Sequence, residues 1–179
     1  MEQLQVEYIE GVRILDLFYQ EDERGSFTKI YNSNNLEKLD IDFDIKEIYY
    51  SQSGKNVIRG MHFQMPPFQH KKMIHVISGK VMDVLLDIRK MSPTYGKHMI
   101  VNLPCDAKKV LYIPEGIAHG FKSLTDYTVM EYCVSSVYNG SADAGIRYDT
   151  CGIDWGTENF IISERDRTFI SFEKFHSPF

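Results

Sequence analysis

The sequence is poor in cysteine and has no cysteines at metal-binding spacing. Its 179 residues include only Cys105, Cys133 and Cys151, none of them in a CxxC motif. This pattern gives no disulfide framework and no zinc site. The first residues, MEQLQ, lack the basic and apolar regions of a signal peptide, and no apolar run approaches the length of a membrane span. We therefore expect a cytoplasmic protein with reduced thiols and no membrane contact.

Basic residues are outnumbered by acidic ones: 20 Lys and Arg against 25 Asp and Glu give a formal net charge of -5. A broad basic surface for nucleic acid or anionic membrane is therefore disfavoured, and an anionic small ligand would need lysines and arginines concentrated at its site. The sequence has no glycine-rich phosphate loop and no alternation of strands and helices, so it does not fit a parallel nucleotide-binding sheet.

Short β-rich runs separated by turn residues dominate the chain. Hydrophobic residues make up 43% and aromatic residues 13%, which suits strands around a sizeable core. The spacing predicts an all-β sandwich or barrel. The pattern shows no domain boundary, so we expect one domain over residues 1–179, with short helices such as 33–39. The expected strands lie in 12–19, 26–31, 44–51, 57–59, 72–79, 80–89, 98–103, 109–113, 120–124 and 128–134.

Two clusters place polar residues at strand ends. Residues 57–64 (VIRGMHFQ) contain Arg59 and His62, and residues 113–121 (IPEGIAHGF) deliver His119 after a turn. Any one of these side chains alone is better interpreted as part of a solvated turn. Two histidines at strand edges of an all-β chain point instead to the mouth of a barrel, where ligand sites gather.

These clusters resemble the two motifs of a cupin, which implies a jelly-roll β-barrel. Metal-binding cupins carry a second histidine at the position of Gln64 and a glutamate after it, and both are missing here. Because a metal needs three or four converging ligands, we expect a site without metal. Of the other histidines, His75 is expected on a strand face, and His70 and His98 are expected at the surface.

Within the cupins, seven motifs resemble the dTDP-4-dehydrorhamnose 3,5-epimerase family in the same order along nearly the whole chain. The resemblance implies a homodimeric epimerase without metal or cofactor, acting on nucleotide-linked 4-keto-6-deoxy sugars in surface polysaccharide or capsule synthesis. The motifs are 22–27 (DERGSF), 59–64 (RGMHFQ), 81–89 (VMDVLLDIR), 92–97 (SPTYGK), 113–121 (IPEGIAHGF), 152–155 (GIDW) and 162–166 (ISERD).

The resemblance also implies roles for individual residues. His62 matches the general base and Tyr132 the proton donor on the opposite face of the sugar, while Lys72 matches the lysine beside the keto oxygen. The carboxylate that orients the base matches Asp166, and Asp83 is a second candidate. The residues that match substrate-binding positions are Arg59, His119 and Arg24 at the pyrophosphate, and Arg165, Asp143 and Tyr138 elsewhere.

Three nucleotide-side positions depart from the family pattern. Lys29 stands where thymidine-linked members carry Glu, and Glu47 and Tyr49 stand where they carry Gln and Asn. A glutamate can accept paired hydrogen bonds from guanine, whereas it would repel the carbonyls of thymine. This favours a GDP-linked hexose or heptose, with Lys29 able to neutralise Glu47 in the empty site. The alternative is that thymidine is retained.

Other functions remain open at this point. A sugar-nucleotide 3,4-ketoisomerase uses a related barrel but predicts a different histidine arrangement and no donor at Tyr132. A sugar-nucleotide-binding cupin without catalysis would not need His62, Lys72 and Tyr132. The sequence also leaves open whether C3, C5 or both carbons are epimerised.

Overall fold

The computed structural model describes residues 4–156 and 159–179. Residues 1–3, which begin the segment without a signal-peptide pattern, lie outside the described residues. The described residues form mostly strands, with two short α-helices, α1 (Ser33–Glu37) and α2 (Glu164–Arg167), and two 3-10 turns at Cys105–Ala107 and Phe172–Lys174. The strands are β1 (Arg13–Asp16), β2 (Phe18–Asp22), β3 (Gly25–Lys29), β4 (Glu47–Ser53), β5 (Ile58–Gln64), β6 (Lys72–Ser78), β7 (Lys80–Asp87), β8 (His98–Pro104), β9 (Lys109–Ile113), β10 (Ile117–Ser123), β11 (Thr128–Val134) and β12 (Asp143–Gly145).

Two antiparallel sheets of five strands make up the barrel. One sheet has the order β1-β9-β6-β11-β4 and the other β12-β5-β10-β7-β8, while β2 and β3 form a separate hairpin. The expected all-β jelly roll with a few short helices is therefore confirmed. Among the described helices, none is long and apolar enough to cross a membrane.

The main core lies on the facing sides of the two sheets. Its fully buried members include Ile74, Leu111 and Met130 from the first sheet and Leu85 and Phe121 from the second. Each such side chain contributes on the order of 1.5–3 kcal/mol by leaving water. This packing fixes the separation of the sheets and leaves room for polar side chains at one end.

The structure differs from the expected elements where burial overrides local pattern. The run 12–19 is divided between β1 and β2, and β5 continues to Gln64 instead of ending near Arg59. The strand β12 and the helix α2 were not predicted; β12 is three residues long and α2 four. Such short elements carry too little periodicity to be found from a sequence.

Two glycines bring β5 and β10 unusually close beside the two histidines of the sequence motifs. A Cβ atom on Gly60, whose φ is +132°, would lie 2.4 Å from the Cα of Gly120. A side chain at either position would push the strands apart. The close approach sets His62 and His119 opposite each other in the strand register.

Candidate active site

A cavity of about 400 Å³ lies between the two sheets. Strands β4, β6 and β11 of the first sheet and β5 and β10 of the second supply most of its wall. Most of the residues expected at a substrate site meet here. Those that line the cavity are Glu47, Tyr49, Arg59, His62, Lys72, His119, Tyr132, Tyr138, Asp143 and Arg165.

His62 and Asp166 form a hydrogen-bonded pair at the cavity wall. The His62 Nε2 atom lies 2.8 Å from Oδ1 of Asp166, and the carboxylate is almost fully buried. The imidazole is held on its other side by the edge of the Phe169 ring, with centroids 5.6 Å apart. A histidine fixed in this way has one ring nitrogen bound to carboxylate and keeps part of its side chain exposed to the cavity.

Helix α2 carries Asp166 and positions its carboxylate. The Ser163 hydroxyl caps the helix by accepting from the Asp166 amide at 3.1 Å. Oδ2 of Asp166 accepts from the Gly60 amide, also at 3.1 Å. Burial by itself would raise the pKa of Asp166, but the hydrogen bonds from His62, Gly60 and Ser163 outweigh it and hold that pKa below its usual value. The carboxylate therefore remains charged beside His62.

Asp83, the second candidate partner of His62, contacts His119 instead. Its Oδ2 lies 2.8 Å from Nε2 of His119, and both side chains are almost completely buried. Burial lowers the pKa of His119, and the charges of Lys72 and His62 add to this effect, whereas Asp83 opposes it. Of the two alternatives left open by the sequence, the geometry therefore supports Asp166 as the orienting carboxylate of His62.

Lys72 places a buried amine beside His62. Its Nζ donates to the His62 carbonyl at 3.3 Å, and the residue is only 5% exposed. Burial lowers the pKa of Lys72 to about 8, although Asp83 and Asp143 partly counteract this shift. The amine is thus available to donate to an oxygen that gains negative charge.

Tyr132 reaches the cavity from the opposite sheet to His62. Its hydroxyl lies 3.4 Å from Oγ of Ser51, and its ring stacks on Tyr49 at a centroid distance of 4.7 Å. Burial raises the pKa of Tyr132 above the ordinary tyrosine value. The phenol therefore stays protonated near neutral pH, as a proton donor must.

Two arginines give the cavity a local positive charge. Arg59 donates from Nε to Ser53 and from a terminal nitrogen to the Gln52 carbonyl, both at 3.1 Å, and keeps the rest of an exposed guanidinium free. Arg165 donates to Asp143 at 2.6 Å. These cations meet the requirement, set by the net charge of -5, that an anionic ligand needs basic groups concentrated at its site.

The Glu47 carboxylate, which was expected to bind guanine, binds a backbone amide of the protein instead. Its Oε2 accepts from the Tyr138 amide at 2.7 Å. Paired hydrogen bonds to guanine would need both carboxylate oxygens, so this contact competes with the expected one. The Tyr138 hydroxyl in turn donates to Asp143 at 3.1 Å. Glu47 thus anchors the segment that carries Tyr138 and Asp143.

Arg24 and Lys29 do not line the cavity of the chain. Arg24 lies in the β2–β3 hairpin, where its exposed guanidinium pairs with Asp22. Lys29 lies over the ring of Phe18, with Nζ 5.2 Å from the centroid. Within one chain, Lys29 therefore does not reach Glu47, because the hairpin holds it outside the cavity that Glu47 lines.

Gln64 and His70 are among the cavity residues that were not assigned to the site from the sequence. Gln64 accepts from the Asn139 amide at 2.6 Å and donates to the Phe68 carbonyl at 2.8 Å. It lies two residues after His62 on β5, so strand alternation could have placed it on the same face. His70 was expected at the surface but lines the cavity, and burial together with the charges of Lys72 and His119 lowers its pKa to about 3.

His75 and His98 do not line the cavity. His98, also expected at the surface, is 1% exposed, so that prediction was wrong. His75 lies on a strand, as expected, with Nδ1 3.1 Å from the Lys109 carbonyl. In residues 4–156 and 159–179, no three His, Cys, Asp or Glu side chains form a group that could hold a metal ion.

Comparison with known proteins identifies the family. Residues 7–174 match the family model of dTDP-4-dehydrorhamnose 3,5-epimerase. The chain is 39% identical over 151 residues to the Salmonella typhimurium enzyme of that name, covering 82% of each chain.

Solved structures agree with the family match. The Bacillus anthracis dTDP-4-dehydrorhamnose 3,5-epimerase, solved with TDP and pyrophosphate bound, superposes with a TM-score of 0.87 at 33% identity, over 90% of this chain and 94% of that one. A Legionella pneumophila 3,5-epimerase in complex with dTDP-4-keto-L-rhamnose gives a TM-score of 0.90 at 29% identity, over 98% and 94%. The chain therefore belongs to the dTDP-4-dehydrorhamnose 3,5-epimerase family and is an isomerase of the epimerase type.

Proposed function

We propose that this enzyme epimerises C3 and C5 of a dTDP-linked 4-keto-6-deoxy sugar, within one domain spanning residues 1–179 and in the cytoplasm, for surface polysaccharide synthesis. The observation that carries the proposal is the arrangement of His62 with Asp166 on one side of the cavity, Tyr132 on the other side and Lys72 beside them. A base and an acid on opposite sheets suit inversion at carbon, because the proton leaves one face and returns to the other.

In the first step, His62 removes the proton from C3 or C5. The ketone at C4 acidifies both C–H bonds, since the electron pair left on carbon is delocalised onto the ketone oxygen. The charged Asp166 stabilises the imidazolium that His62 becomes, through the 2.8 Å hydrogen bond. An imidazole can both accept and release a proton, so His62 suits this task.

In the second step, Lys72 donates to the enolate oxygen. The buried amine lies beside the backbone of the proposed base, at 3.3 Å from the His62 carbonyl. A donor aimed at developing negative charge in a site shielded from water contributes about 10²–10³-fold to the rate. The intermediate then remains long enough to be protonated.

In the third step, Tyr132 protonates the carbon from the opposite face, and the phenolate recovers a proton from solvent. His62 returns its proton to solvent, so the enzyme is restored and the sugar differs only in configuration. The alternatives without such a donor, a 3,4-ketoisomerase or a binding protein, do not use the buried phenol of Tyr132. The two reactions of the cycle, at C3 and at C5, use the same groups.

The relatives favour thymidine over the guanine first expected. One oxygen of Glu47 already accepts from the Tyr138 amide, so guanine would have to share this acceptor with the backbone. The Bacillus relative was solved with TDP, and the Legionella relative with a dTDP-linked keto sugar. We therefore favour the dTDP-linked substrate over a GDP-linked hexose or heptose. Arg59 and Arg165 are the proposed partners of the diphosphate.

A homodimer accounts for Arg24 and Lys29. Both lie on the β2–β3 hairpin, outside the cavity of their own chain, so they reach substrate only if a second copy receives the hairpin. The hairpin exposes Phe18 and Phe27, whose rings contact each other edge to face. Apolar side chains exposed on a projecting hairpin are typical of a surface that another chain covers.

A nucleotide panel and a substrate assay test the proposal. Unfolding temperatures are measured with equal concentrations of dTDP, GDP, UDP and CDP, and dTDP should give the largest increase because selective binding stabilises the folded state. A dTDP-4-keto-6-deoxy sugar is then incubated with the enzyme in D2O and followed by NMR. Deuterium should enter at C3 and C5 with formation of inverted product. Binding without exchange would contradict the epimerase function, and a GDP preference would contradict the choice of nucleotide.

A further inference from the structure

The inward face of strand β4 holds other residues of the site in place. Alternate residues of this edge strand, from Glu47 to Ser53, contact other residues of the site. Glu47 accepts from the backbone of Tyr138, and Ser53 accepts from Arg59. Between them, Tyr49 stacks on Tyr132 and Ser51 lies beside its hydroxyl. Strand β4 therefore positions other residues of the cavity wall, namely Tyr138, Arg59 and Tyr132.

Tyr49 and Tyr132 are direct neighbours across the β4–β11 ladder. Their rings are 4.7 Å apart and inclined by only 15°, so one face of Tyr132 is covered. The edge of His119 lies on another side, at a centroid distance of 6.1 Å. Tyr49 itself is 40% exposed, whereas Tyr132 is 7% exposed. The phenol of Tyr132 thus has its ring plane set by Tyr49, because the hydroxyl contact to Ser51 is long at 3.4 Å.

We propose that Tyr49 is a positioning residue, which fixes Tyr132 for protonation of the far face and so determines the share of enolate that is inverted. This inference rests on the proposed function, in which His62 removes the proton and Tyr132 returns one. An enolate that Tyr132 fails to protonate is protonated again by the base, on the starting face. A shift of the Tyr132 phenol therefore changes the fraction of the enolate that is protonated on the far face. It does not change the rate at which His62 forms the enolate.

The aromatic ring of Tyr49 is what this role requires. An aliphatic side chain at residue 49 cannot form the ring stack seen here. Residue 49 thus contacts the donor through an aromatic face in this chain. A displacement of about 1 Å in a catalytic group can cost 10²-fold in rate. Loss of the stack should therefore reduce inversion by roughly 10- to 100-fold.

The test compares the Tyr49→Ala, Tyr49→Leu and Tyr49→Phe variants in D2O with a dTDP-4-keto-6-deoxy sugar. Two quantities are measured by NMR: total deuterium entry at C3 and C5, and the fraction of inverted product. Tyr49→Ala and Tyr49→Leu should keep deuterium entry near wild type and lose most inversion. Tyr49→Phe preserves the ring and should restore the wild-type fraction. The Tyr50→Ala control removes an outward-facing ring, 72% exposed, from the next position of β4 and should change neither quantity.

A double variant separates this inference from the proposed function. In the Tyr132→Phe background, Tyr49→Ala should cause no further loss of inversion, since the group that it positions is already absent. An unchanged inverted fraction in both Tyr49→Ala and Tyr49→Leu, while Tyr132→Phe reduces it, would overturn the role of Tyr49 alone. Unchanged inversion in Tyr132→Phe would overturn the donor assignment, and the role of Tyr49 with it. Equal losses of exchange and inversion in the Tyr49 variants would also contradict the inference, as they indicate a general structural effect.

Discussion

Replacing Lys72 by Met should reduce activity while increasing stability. The methionine retains an unbranched apolar stem, so the packing around this 5% exposed position is largely kept. The substitution removes the donor to the enolate oxygen. Loss of one such donor costs about 10²–10³-fold in kcat. Substrate binding should change less, because the negative charge on the oxygen develops only during the reaction.

The stability effect follows from the pKa of Lys72. Burial lowers this pKa from 10.5 to about 8, so between these pH values the unfolded chain binds more protons than the folded one. The free energy of unfolding therefore rises with pH across that window, and below pH 8 the folded state carries the full cost of a buried ammonium. The shift corresponds to about 3 kcal/mol. Lys72→Met should thus raise the free energy of unfolding at pH 7 by up to about 3 kcal/mol.

Denaturant unfolding and kcat, each measured from pH 6 to 10, test both effects. The wild-type kcat should fall as the pH rises through about 8, where Lys72 loses its proton, and Lys72→Met should lack this decline. Lys80→Met, which removes an exposed lysine, serves as the control and should leave both profiles unchanged. A variant with wild-type kcat, or one less stable than wild type at pH 7, would refute the reasoning.

The other residues give separable results. Tyr132→Phe should still incorporate deuterium with the starting configuration, while inverted product falls sharply, as measured by NMR. Asp166→Asn should slow deuterium entry by up to roughly 10⁴-fold, because the change removes the charge that orients His62 and stabilises its imidazolium. Glu47→Gln should leave the order of nucleotide stabilisation unchanged, since an amide oxygen can accept from the same backbone donor. Arg24→Ala should raise KM by about 10- to 100-fold with little change in kcat, corresponding to about 1.5–3 kcal/mol for a charge-assisted hydrogen bond.

Different outcomes would count against each of these predictions. Formation of inverted product at the wild-type rate by Tyr132→Phe would contradict the role of Tyr132 as proton donor. Normal exchange by Asp166→Asn would remove the need for the carboxylate. A loss of dTDP preference in Glu47→Gln would mean that this residue contacts the base. A wild-type KM for Arg24→Ala, in a protein that light scattering shows to be dimeric, would exclude the hairpin from the substrate site.

The sequence was informative where chemistry and strand position coincide. The alternation and spacing of short runs were sufficient to predict an all-β chain, because half-buried strands impose a period of two. The motifs around His62 and His119 located the cavity, since Gly60 and Gly120 bring their strands together. Lys72 is the first residue of β6, the next strand along the chain after β5, which lies in the other sheet.

Long-range contacts were less predictable. The choice between Asp83 and Asp166 depended on which carboxylate the folded chain brings to His62, and these residues lie far apart in sequence. The role expected for Glu47 followed from the hydrogen bonds that a carboxylate can accept from a base. Nothing in the sequence indicated that the backbone amide of Tyr138 donates to this carboxylate. Lys29 was placed near the nucleotide from its motif alone, although the β2–β3 hairpin carries it outside the cavity of its own chain.

The central claim is that His62 removes a proton from the carbon next to the ketone. It is tested most directly by the rate at which solvent deuterium enters C3 and C5 of a dTDP-4-keto-6-deoxy sugar with the His62→Asn variant. The exposed His176→Asn serves as the control. The account predicts a loss of roughly 10²–10⁴-fold in exchange at both carbons for His62→Asn, with dTDP still raising the unfolding temperature as in wild type. Exchange at the wild-type rate in His62→Asn would contradict it.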